Sequence, residues 1–65
     1  SARNHLAGTV SAIHSLGAMA KVSIDCGFEL TAVITRSALA DLRLAVGAPV
    51  KAAFKAGSVH LIPRR

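Results

Sequence analysis

Apolar and polar residues alternate along several separate stretches of this 65-residue chain. A period of two residues marks a strand with one buried face. From Ala18 to Cys26, Ala20, Val22, Ile24 and Cys26 share one parity, and Lys21, Ser23 and Asp25 take the other. Phe28 to Ile34 repeats the pattern, with Phe28, Leu30, Ala32 and Ile34 inward, and Gly27 between the two runs predicts a hairpin. Val50 to Ala56 places Val50, Ala52, Phe54 and Ala56 inward and Lys51 and Lys55 outward. After Gly57, Val59 and Leu61 close the pattern, with Ser58 and His60 opposite.

Leu6 to His14 is also strand-like, but its parity is mixed. Leu6, Val10 and Ala12 agree, while Ile13 does not. A strand buried on both faces, one in a barrel and one against a partner, has this mixture. Gly8 inside the run predicts a bulge or a close backbone approach. Ser15-Leu16-Gly17 predicts a turn.

The period changes at Thr35. Thr35 to Leu42 is short and rich in Ala and Leu, Thr35 suits a helix cap, and Leu39 and Leu42 fall on one face. Leu44 to Pro49 leads out of the helix, with Gly47 and Pro49 as breakers. The expected fold is all-β: a small five-stranded barrel of the oligonucleotide/oligosaccharide-binding (OB) type, with one short helix between strands three and four. Residues 1–65 form a single domain in this reading, and no internal repeat is present.

Composition sharpens the picture. Hydrophobic residues make up 52% of the chain and mean hydropathy is +0.51, more apolar material than one small core hides, so association between copies is expected. The single Cys26 excludes an internal disulfide, and a lone thiol suits a cytoplasmic protein. Charged residues recur too often to leave the ~20 apolar residues of a membrane span. Ser1 follows a removed Met or begins a fragment; either is compatible with the sequence.

Net charge is +5, which favours anionic partners. The only aromatic residues are Phe28 and Phe54, both in core-like alternation, which argues against a nucleic-acid binder that stacks bases. Catalytic constellations are not evident. Cys26 lies on the apolar face as an inert thiol, Asp25, Glu29 and Asp41 read as turn and surface residues, and His5, His14 and His60 lack metal-ligand spacing. A binding protein that is not an enzyme is expected, with no covalent cofactor and no metal held by direct side-chain chelation.

Three segments carry anion-binding chemistry. Ser1-Ala2-Arg3-Asn4 opens the chain with hydroxyl, guanidinium and amide donors. Thr35-Arg36-Ser37 puts hydroxyls and a cation at a helix start. Lys55-Ala56-Gly57-Ser58 places a cation, a permissive backbone and a hydroxyl within four residues. Capping and turn chemistry accounts for either later segment alone.

Ser1-Ala2-Arg3-Asn4 followed by Gly8-Thr9-Val10, then Thr31 to Thr35, Ser37 and Leu42-x-Leu44-x-x-Gly47, and finally Lys55-Ala56-Gly57-Ser58-Val59, resemble the Mop family of molybdate-binding domains (molbindins). The resemblance covers nearly the whole chain, although the family often has another small residue at the position of Gly57. It implies a transport-associated OB-type barrel and a homohexamer, a trimer of dimers. It also implies molybdate or tungstate held at subunit interfaces for storage and homeostasis. By the same resemblance, Ser1, Ala2 (through its backbone), Arg3 and Asn4 line an oxyanion site completed by Lys55 and Ser58. Thr9, Thr35 and Ser37 are further candidates for contacts elsewhere, and the three histidines receive no role. Alternatives are the oxyanion-sensing domain of a molybdate importer ATPase or of a transcription factor, and a nucleic-acid-binding OB-type module.

Overall fold

The computed structural model describes residues 5–55 and 57–64. In chain order they form strands β1 (His5–Leu16), β2 (Met19–Asp25) and β3 (Glu29–Thr35), helix α1 (Arg36–Asp41), and strands β4 (Pro49–Lys55) and β5 (Ser58–Pro63). All pairings are antiparallel, in the order β3-β2-β1-β4-β5. This is the all-β fold of five strands and one helix that the alternation predicts. The edge strands β3 and β5 touch but share no hydrogen-bonded ladder among the described residues, so the sheet curls without closing.

β1 organises the sheet because it serves two neighbours. Thr9 to Leu16 pair with β2, and His5 to Thr9 pair with β4. Thr9 is shared, standing between Asp25 and Pro49. The change of partner needs room. A methyl group on Gly8 would lie 2.7 Å from the Asp25 carbonyl oxygen and 2.8 Å from Ile24 Cγ2. Gly8 is therefore a close-approach glycine. The ladder is instead interrupted between Val10 and Ala12, which pair with Ile24 and Ser23, and Ser11 is the extra residue. That bulge corrects the two-sided reading of β1. Val10 faces inward before it and Ile13 after it, both packed in the same core, so the inward parity changes across Ser11.

The core is aliphatic. Val10, Val22, Ile24 and Val50 are its largest fully buried side chains, with Ala32, Ala52, Leu44 and Leu61 around them. Leu39 and Leu42 pack against this cluster, as their spacing predicts. Phe54 is half-buried, but Phe28 is 55% exposed, against the expectation that it points inward. β3 begins at Glu29, so Phe28 belongs to the turn after β2 and lies outside the paired ladder. Ser23 departs from its parity in the other direction and is buried, a short side chain in a row between Ala12 and Thr31. Cys26 is half-buried at the core margin, with its Sγ 3.5 Å from the Phe28 carbonyl oxygen.

The helix ends in an unusual way. Leu42 is its C-cap and Arg43 follows at φ 54°, the left-handed conformation that glycine adopts freely. Arg43 N–H donates to the Ala40 carbonyl at 3.0 Å and Leu44 N–H to the Leu39 carbonyl at 3.3 Å. These are the two bonds of a Schellman motif, and Leu44 and Leu39 supply its apolar contact in the core.

Candidate functional site

The Thr35–Ser37 segment and the Lys55–Ser58 turn stand at opposite ends of β1. At the hairpin end, Leu16 pairs with Met19, which pairs with Thr35. There Thr35 and Arg36 are already engaged by the fold. Thr35 Oγ1 caps the helix by accepting from Ala38 N–H at 3.0 Å. Arg36 donates through its backbone to the Ala18 carbonyl at 2.9 Å and through Nη1 to the Gly17 carbonyl at 3.4 Å. Ser37 is exposed in the first turn of α1. This segment ties a six-residue helix to the β1–β2 turn.

The other end of β1 differs. His5 pairs with Ala53, and Ala53 pairs with His60, so one row of the sheet reads His5–Ala53–His60 across three strands. Partners in register share a face. Two residues beyond Ala53, Lys55 pairs with Ser58 across the β4–β5 turn. Gly57 in that turn has φ 78°, as its position among Lys55 and Ser58 predicts, and Ser58 is exposed. Ser1, Ala2, Arg3 and Asn4 lie outside the described residues, as does Ala56. The described chain enters the sheet at His5, directly beside the strand that ends in Lys55.

The weaker candidates fall elsewhere. Thr9 is exposed in the middle of β1, and Thr35 and Ser37 stand at the far end of that 12-residue strand from His5. A single protomer therefore does not gather all the named residues. His14 is exposed opposite Lys21. Among the described residues no group of three metal-ligating side chains is present, and no helix is long and apolar enough to cross a membrane.

One concavity was not anticipated from the sequence. A cleft of about 210 Å³ is walled on one side by Leu42, Arg43, Leu44 and Ala48. Pro49, Pro63 and Arg64 form the other wall. Pro63 closes β5, and Arg64 N–H donates to the Pro49 carbonyl at 3.2 Å. The sequence signal for this feature was an arginine immediately after the helix, where a glycine would be the usual stop.

A five-stranded antiparallel sheet in this order, with a short helix before its fourth strand, defines a small OB-like β fold. The chain belongs to the TOBE domain family, whose model matches residues 1–61. It is also 42% identical over 64 residues to the molybdate/tungstate import ATP-binding protein WtpC of Pyrococcus horikoshii. That match takes in 97% of this chain but 19% of the relative, so the chain spans about a fifth of that protein's length. No solved structure matches it.

Proposed function

We propose that this TOBE domain binds molybdate or tungstate as an intact oxyanion and carries out no chemical change on it. The observation that carries this reading is the 42% identity, across nearly the whole chain, to a protein named for molybdate and tungstate import. The sheet register supports it, since the chain enters at His5 next to the strand ending in Lys55 and Ser58 lies opposite that lysine. A tetrahedral dianion has four acceptor oxygens. Hydroxyls, amides and one or two cations satisfy it through charge-assisted hydrogen bonds, with no metal chelation. Ser1, Ala2, Arg3 and Asn4 would supply donors from one segment, and Lys55 and Ser58 from the other.

The site is completed between copies of the chain in this reading, in a homo-oligomer of the molbindin type built as a trimer of dimers. Exposed Leu16, Met19, Val33 and Ile62 are consistent with faces that another copy covers. We place the domain in the cytoplasm. Storage is the role that the molbindin resemblance suggests. The relative's identity favours a second role, regulation of an importer ATPase by its own transported ion, with the ATP-hydrolysing part elsewhere.

Native mass spectrometry with molybdate, tungstate and sulfate at equal concentration tests the reading. An oligomer that retains the two heavier oxyanions and little sulfate is the expected result. A chain indifferent to all three anions overturns the binding role, and a monomer that still selects molybdate overturns only the shared site.

A further inference from the structure

The cleft at the exit of α1 is lined by aliphatic side chains and two prolines together with two arginines, Arg43 and Arg64. Its backbone donors are all engaged. Leu42 donates to Ala38, Arg43 to Ala40, Leu44 to Leu39, Ala48 to Ala45 and Arg64 to Pro49, while Pro49 and Pro63 have no N–H. Among the described residues, neither arginine side chain takes part in a side-chain hydrogen bond. A bare inorganic oxyanion placed here would find no free backbone N–H among these residues and would depend on the two arginines alone. The fitting occupant has an apolar body and a carboxylate, because the guanidinium fork matches a carboxylate edge. At about 210 Å³ the cleft is also smaller than the ~300 Å³ at which small-molecule pockets begin, so it suits side chains.

The chain itself presents such a group. It has three acidic residues, and two of them, Asp25 and Glu29, flank exposed Phe28 on the β2–β3 turn. We propose that the Arg43–Arg64 cleft receives the Asp25–Glu29 turn of a second copy, with the Phe28 ring against the Leu42 and proline walls and Glu29 between the guanidiniums. Asp25 Oδ1 accepts from Gly27 N–H at 3.2 Å and shapes the turn. Placement suits a reciprocal contact. Asp25 pairs with Thr9, and Thr9 with Pro49, so the base of the acidic turn and the wall of the basic cleft stand two strands apart on one row. Two copies related by a two-fold axis then exchange both contacts, acidic turn into basic cleft in each direction. The strain at Arg43 agrees: a left-handed arginine persists where glycine would sit freely, and its side chain is the one that the cleft uses.

This contact refines the assembly half of the proposed function and does not depend on the ligand. Sedimentation velocity from micromolar to millimolar concentration, at low and high salt, measures it. The wild type should dimerise, and more weakly in high salt. Arg43→Gly should weaken dimerisation about tenfold or more while raising the melting temperature measured at concentrations where both chains are monomeric, a pairing that a structural role for the arginine does not produce. Phe28→Ser should weaken it similarly. An Arg43→Glu/Arg64→Glu chain and a Glu29→Lys chain should each fail to self-associate, yet dimerise when mixed, because every tip then meets a cleft of opposite sign. A wild type that stays monomeric at millimolar concentration overturns the proposal. So does a monomer that binds an added Asp-Gly-Phe-Glu peptide through Arg43, which would make the occupant a foreign acidic segment. An oligomer unaffected by Arg43→Gly and Phe28→Ser also overturns the contact, and leaves oxyanion binding standing.

Discussion

The two ends of β1 carry similar residue types and put them to different use. At the hairpin end, a threonine hydroxyl and an arginine are bound into the fold, one capping α1 and the other reaching the Gly17 carbonyl. At the β4–β5 end, Ser58 is exposed on a turn that Gly57 bends through a positive φ, opposite Lys55 in register. A cluster of hydroxyls and cations in a sequence is therefore a weak guide to a ligand. What separates the two ends is whether the local backbone has unmet donors and acceptors of its own. A helix start always has free N–H groups, and the nearest hydroxyl takes one of them.

The comparison breaks first if its middle is disturbed. Gly8→Val should cost about 3 kcal/mol, since even a methyl group there meets a carbonyl oxygen at 2.7 Å and β2 must move away from β1. Chemical denaturation should show the loss, and both ends should suffer together. Lys55→Ala should leave the unfolding free energy within about 0.5 kcal/mol of wild type and cut molybdate affinity by about 2 kcal/mol, roughly thirtyfold. Calorimetric titration measures the second figure, and unchanged affinity removes Lys55 from the site. Thr35→Ala should do the reverse, lowering stability by about 1 kcal/mol through the lost cap without altering affinity. If it weakens molybdate binding instead, the two ends are not functionally distinct. Arg43→Gly is the smallest and opposite in sign, a gain of up to about 1 kcal/mol as the left-handed position is relieved.

The extent to which these features were legible in the sequence follows the range of the interactions behind them. Strand positions in β2 to β5 and the Leu39–Leu42 face of α1 depend on short-range periodicity, and the structure agrees with it. The bulge at Ser11 was not legible, because a parity change looks the same whether a strand is buried on both faces or carries an extra residue. Phe28 was misplaced because a hydrophobic residue beside a strand continues the alternation even when the turn has already begun. The oxyanion segments were visible as composition. The separation of Thr35–Ser37 from the Lys55–Ser58 turn depends on which strands pair, which no local pattern encodes. The Arg43–Arg64 cleft joins residues 21 positions apart and has no sequence signature beyond a misplaced arginine.

The division of β1 between two partners also sets an order of events in time. Leu16 meets Met19 three residues away, whereas His5 meets Ala53 forty-eight residues away (53 − 5). Closing the longer loop costs about 2.5 kcal/mol more in chain entropy than closing the shorter. The hairpin is therefore the early event of folding, and the β1–β4 ladder zips up late. The His5 end has exposed neighbours and pairs with β4 alone, so its amides should exchange with solvent faster than those of β2, which is paired on both sides. A ligand bound at this end, as proposed, would act as a latch on that ladder, and its departure would register first as local breathing of β1.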